Sequence, residues 1–147
     1  MTWQQLLAER RVQPHTTSRH ELQDLRAVVA RDLQDANLTG LSTDRKFATA
    51  YNAALQLAKM AIACAGYRVV GRGHHQTSFE ALTLALGDTA AAFARYFEFC
   101  RRKRNQLDYD KANVITETEA NELVAQAEAF RRLVEAWITQ HYAQYAP

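Results

Sequence analysis

Proline is nearly missing from this chain. Of 147 residues only Pro14 and Pro147 are proline, and glycine occurs five times. Long stretches therefore carry no helix breaker, which argues against a turn-rich sheet protein. Cysteine is as scarce: Cys64 and Cys100 both fall within predicted helices, a pattern that fits buried reduced thiols better than a disulfide framework. No window approaches the roughly 20 consecutive apolar residues that crossing a bilayer requires. The opening MTWQQLLAERR lacks the basic segment and apolar run of a secretory leader. The expectation is a cytoplasmic protein with no membrane partner. An excess of one charge is lacking too, since 18 Lys and Arg face 16 Asp and Glu. A net charge of +2 does not by itself imply a nucleic-acid partner. There is no glycine-rich phosphate loop, paired-cysteine metal site or nucleophile triad, so neither metal nor cofactor is expected.

What is present reads as helix. The length suits one domain over 1–147 with its core at about 18–142, and 48% hydrophobic with 23% charged residues is ordinary for a folded chain. Trp3 to about Arg11 forms a short amphipathic piece before Pro14. Ser18 and Glu21 read as a capping box. Leu22, Leu25, Val29 and Leu33 follow at helical spacing to about Asp35, where Asn37–Gly40 breaks the element. Ser42 or Thr43 caps a helix from about Asp44 to Ala65, with an apolar face of Phe47, Ala50, Tyr51, Ala54, Leu55, Ala58, Ala61, Ile62 and Ala65. Its small alanines allow a neighbour to approach closely. Gly66 occupies a helix C-terminal position, and 67–76 reads as a loop. A short helix follows at about Thr77–Leu86, then a longer one from Asp88 or Thr89 to about Asp108. Thr116 and Glu119 form a second capping box ahead of a last helix to about Tyr142. Short connections between four substantial helices and a short one predict an all-α, antiparallel up-and-down four-helix bundle.

Charge is clustered rather than spread. Residues 101–109, RRKRNQLDY, are the densest polar stretch, and they end a helix where cations are favoured by exposed carbonyls. A solvated helix end, with Arg104 paired to Asp108 four residues on, accounts for some of this. Arg68, Arg72, His74 and His75 form a second basic group on the predicted glycine-flanked loop, where Arg72 and His74 are candidate anion contacts. His75 reads as structural, one histidine of the pair capping the helix near Ser78, and two histidines in an extended loop point apart and do not share a metal. Phe93, Phe97, Phe130 and Trp137 read as core. Trp3 and Tyr145 lie outside the predicted bundle.

Arg104 followed directly by Asn105, with Tyr109 further on, resembles the signature of the HEPN superfamily, an arginine followed a few residues later by histidine. The stretch Ala48–Ala65, with Tyr51–Asn52–Ala53–Ala54 and Ala58–Lys59, is similar to that family's second helix. Gly66–Tyr67–Arg68, His75 and Leu82 resemble the loop and helix after it, so the resemblance covers about 44–142. It implies a four-helix fold with the motif after the third long helix. Many members are metal-independent RNases that act as toxins, pair with a small nucleotidyltransferase or other antitoxin, and build their site across a homodimer. In such a site arginine grips phosphate through two hydrogen bonds, and histidine moves the proton of a ribose 2′-hydroxyl.

This chain departs from the pattern at one point: Tyr109 stands where histidine is usual. A phenol with an ordinary pKa of about 10 is a poor base at neutral pH. The expected function is therefore a nucleotide-, RNA- or partner-binding module of toxin–antitoxin type, dimeric and catalytically weak or inactive. The site candidates are Arg104, Asn105 and Tyr109, with Arg101, Asp108, Arg72 and His74 as further ligand contacts. The alternatives are a metal-independent endoribonuclease toxin using Arg104, Asn105 and Tyr109, and a purely structural helical interaction protein.

Overall fold

The computed structural model describes residues 1–107 and 114–147. Asp108, Tyr109 and the proposed Arg104–Asp108 pair lie outside the described residues. The chain runs α1 (Trp3–Ala8), β1 (Val12–Pro14), α2 (Arg19–Ala36), α3 (Thr43–Cys64), β2 (Tyr67–Val69), α4 (His74–Glu80), α5 (Leu82–Leu86), α6 (Ala91–Leu107) and α7 (Glu117–His141). Single 3₁₀ turns precede α6 and follow α7. Among the described residues the protein is all-α apart from one two-stranded sheet, and no helix is long and apolar enough to cross a membrane.

Helix α3 is the organising element. It packs against α2, α4, α5, α6, α7 and β2, which explains why its burial extends beyond one stripe. Besides the expected face, of which only Ala65 at the C-cap is half-buried, Ala53, Leu57, Met60, Ala63 and Cys64 are also buried. Alanine makes this possible, because helices that meet over methyl groups come close enough for neighbours to cover most of the circumference. Ser42 caps it, its Oγ accepting from Arg45 N at 3.3 Å. Gly66 follows with φ 98°, a left-handed conformation that glycine adopts without steric cost.

The aromatic core lies where α4, α6 and α7 converge. Phe97 sits 5.1 Å from Phe130 edge to face and 5.6 Å from Phe79. Phe93 closes on Phe130 at 5.2 Å. Trp137 is half-buried against the same cluster. Cys64 and Cys100 are buried free thiols, and burial pushes them up to about 11 and about 12, so neither is a thiolate at neutral pH.

Several local expectations are corrected. Helix α1 ends at Ala8, and the following residues turn into β1, which pairs antiparallel with β2 through Val12↔Val69, Gln13↔Arg68 and Pro14↔Tyr67. Three-residue strands far apart in sequence leave no alternation to read, and Pro14 is tolerated because a two-stranded sheet is all edge. The 67–76 segment is thus a strand, a turn and the start of α4 rather than a loop. The expected short helix at 77–86 is two helices, α4 and α5. Glu21 completes only half a capping box: Ser18 Oγ accepts from its N–H, but its carboxylate turns to His15 and Thr17. The Thr116–Glu119 box is complete in both directions. Trp3, outside the four long helices as expected, is nevertheless packed, its ring stacked on Tyr67 at 4.2 Å. Tyr145 is likewise engaged, its hydroxyl donating to Thr17 O.

Candidate functional site

Arg104 lies in the last turn of α6 and is half-buried. Its guanidinium carbon sits over the ring of Tyr51 at 5.2 Å from the centroid. Tyr51 comes from the first half of α3 and is fully buried. Phe79 holds it edge to face at 5.7 Å, so the platform under Arg104 is fixed by the core. On its polar end, Tyr51 Oη shares a 3.0 Å hydrogen bond with His75 Nδ1.

His75 reaches Tyr51 because α4 begins three residues earlier than the sequence suggests. Gly73, with φ 73°, precedes the helix without a side-chain cap. His74 and His75 therefore occupy its first turn, with rings edge to face at 4.5 Å, and neither caps a helix near Ser78. Ser78 instead donates its hydroxyl to His74 O. The turn before β1 helps to seat α4: Arg11 donates from Nε to Thr77 Oγ1 at 3.0 Å and from its guanidinium to Glu80.

The electrostatics follow from this packing. Burial first, then the neighbouring His74, Arg104, Lys59 and Arg101, lowers His75 to about 4, so the ring is neutral at physiological pH. His74 is lowered in the same sense, by burial and then by Lys59. Burial raises the Tyr51 phenol above its ordinary range, against the opposing pull of Arg104 and Arg101, and it stays protonated. Two neutral groups thus share one hydrogen bond, and the imidazole keeps Nε2 for another partner.

Arg101, one turn before Arg104, is held on Glu98 by two hydrogen bonds of 2.9 and 2.6 Å. That pairing keeps the Glu98 carboxyl below its usual range. Asn105 is exposed on the next face of α6, and Arg102 and Lys103 project near Glu98 and Glu119. Arg72 is exposed in the turn before α4. Among the described candidates, the structure therefore brings Arg104, Arg101 and the His74–His75 pair around Tyr51. It leaves Asn105 and Arg72 on the surface. Tyr51 and His75 are the residues that sequence reasoning missed as parts of the site. Tyr51 is the one large polar side chain on an otherwise alanine-rich face, which is the only local hint. His75 reads as structural from sequence, because its partner lies across a tertiary contact. No group of three or more His, Cys, Asp or Glu able to hold a metal occurs among the described residues.

The histidine pair gives the protein an acid sensitivity of definite sign. His75 titrates near 6.5 when unfolded and near 4 when folded, so the unfolded state binds more protons between those values. Stability is then full above about pH 6.5 and falls as pH drops towards 4. After discounting for the ring's partial exposure, His75 contributes about 1 to 2 kcal/mol of this loss. Chemical denaturation at pH 7 and pH 4.5 should show the loss, and His75→Gln should reduce it. An unchanged pH dependence in that variant would rule out this origin.

An all-α fold with an arginine near the end of its third long helix agrees with the HEPN resemblance, and the family-model match places the chain in the HEPN superfamily. More particularly, the chain belongs to the SAV_6107-like HEPN family, whose model matches residues 39–135. The matched stretch contains Tyr51, His75 and Arg104 and begins after α2. No curated protein and no solved structure matches the chain.

Proposed function

We propose that this chain is a nucleotide- or RNA-binding HEPN module of toxin–antitoxin type, a single antiparallel four-helix domain that works as a homodimer and is catalytically weak or inactive. The carrying observation is the seating of Arg104 on the buried face of Tyr51. The buried ring fixes where the guanidinium sits, and a guanidinium is the side chain whose planar geometry best matches phosphate. Arg101 lies beside it in its pair with Glu98, and the neutral His75 ring adds a polar edge without a competing charge. Asn105 and Tyr109 belong to the same motif by family resemblance, and the partner is a small nucleotidyltransferase or another antitoxin.

One observation favours a second reading, the metal-independent endoribonuclease. The histidine missing from the motif has a counterpart in His75, joined to Arg104 through the shared Tyr51. Here Nδ1–H donates to the Tyr51 oxygen and Nε2 takes the proton of a ribose 2′-hydroxyl. That oxygen attacks its own phosphorus, and a 2′,3′-cyclic phosphate forms. The bond to the 5′-oxygen breaks, and the leaving oxygen takes the proton back from His75 Nε2.

Binding of a labelled single-stranded RNA and of a mononucleotide tests the first reading. Arg104→Ala should weaken both by about 10- to 100-fold, the range of one charge-assisted contact. Arg102→Ala, on the exposed side of α6, should change affinity by no more than the salt-dependent loss of one remote charge. Unchanged binding of RNA, nucleotide and antitoxin partner in Arg104→Ala would sink the proposal. Cleavage of the same RNA, lost in both Arg104→Ala and His75→Ala, would instead establish the nuclease.

A further inference from the structure

A cavity of about 280 Å³ opens between α2, the second half of α3 and β2. Leu25, Ile62 and Val69 give it an apolar wall. Its ionic lining is unbalanced. Glu21, the acid of the cavity, is already matched by His15 Nε2 at 2.9 and 3.0 Å and by the Thr17 hydroxyl at 3.1 Å. Lys59 is half-buried at the wall, and Arg68 stands exposed on β2. Neither has a carboxylate partner among the described residues. Burial alone lowers the Lys59 amine, the direction expected of an ammonium withdrawn from water with no counter-ion beside it.

Such an ammonium is costly unless something neutralises it. The wall against which it is held is preformed, since Tyr67 is stacked on Trp3 and β2 is paired to β1. The volume holds about nine waters and lies at the small end of ligand sites. A group of this size with one charged end and a compact apolar body fills it, whereas an RNA segment does not.

We infer that this cavity is a binding site for a small organic anion, its charged head on Lys59 with Arg68 at the rim and its apolar body against Leu25, Ile62 and Val69. A phosphomonoester and a carboxylate share this chemistry, and a point-charge ammonium accepts both. The inference rests on residues separate from Arg104 and stands or falls apart from the RNA-binding proposal.

Titration of the full chain with phenyl phosphate, benzoate and inorganic phosphate, followed by amide chemical shifts, tests it. Phenyl phosphate or benzoate should give saturable shifts at Lys59 and at Tyr67–Val69, and the stronger of the two assigns the head group. Inorganic phosphate, with no apolar body, should bind at least tenfold more weakly. Lys59→Met, which keeps the apolar stem, should weaken binding at least tenfold, with Lys59→Gln as the second variant should Met disturb the fold. Arg104→Ala should bind these probes like the parent protein. The site is refuted if neither organic probe shifts these amides at several millimolar, or if both lysine variants bind as the parent does.

Discussion

Tyr51→Ala is expected to lower the free energy of unfolding by about 3 to 5 kcal/mol, the usual cost of removing a buried aromatic ring. For a chain of this size the melting temperature should fall by roughly 10 °C. The reason is position: the ring is fully buried in α3, packs edge to face on Phe79 and has Arg104 over it. Tyr51→Phe separates the roles. It keeps the ring and its cation contact and loses only the hydrogen bond to His75, at about 1 kcal/mol. Thermal unfolding ranks the three proteins parent, Phe, then Ala. RNA binding should survive in Tyr51→Phe and weaken in Tyr51→Leu, which fills the space but offers Arg104 no π face. Equal RNA affinity in all folded variants would show that the ring is packing alone.

The second large effect concerns the lock between α2 and α7. Arg26 grips Glu135 by two hydrogen bonds of 2.7 and 3.0 Å and also donates to Tyr145 O, fastening the C-terminal turn. The side chains are 12% and 21% exposed, so the pair is largely withdrawn from water. Glu135→Ala leaves a cation there without its counter-charge and is expected to cost about 2 to 4 kcal/mol. Replacing both by Met and Leu should recover much of that loss, because an apolar pair of similar volume has no desolvation penalty. Urea unfolding of the single and double variants measures this. A double variant as unstable as the single would place the effect in lost packing rather than in the stranded charge.

Helices, caps and breakers were legible in the sequence because they are set within a turn or two of chain. The Thr116–Glu119 box, the Ser42 cap, the left-handed Gly66 and the apolar stripe of α3 all follow from near neighbours. So was the family, since Arg104–Asn105 and the Tyr51 helix lie in the stretch that its model matches. The sheet was not legible, as its strands are three residues each and meet across α2 and α3. Nor was the start of α4, which Gly73 opens without a side-chain cap and which Arg11 ties down from a distant element.

The same division runs through the site. Local sequence determined that an arginine ends the third long helix, that a tyrosine interrupts an alanine-rich face, and that two histidines sit together after a glycine. Only tertiary packing decided that these three share one point. α4 and α6 both close on α3, Tyr51 is buried beneath the guanidinium, and the low dielectric around it keeps His75 uncharged. Desolvation depends on what covers a group, and covering is supplied by residues 24 and 53 positions away along the chain. No spacing rule within one helix carries that information.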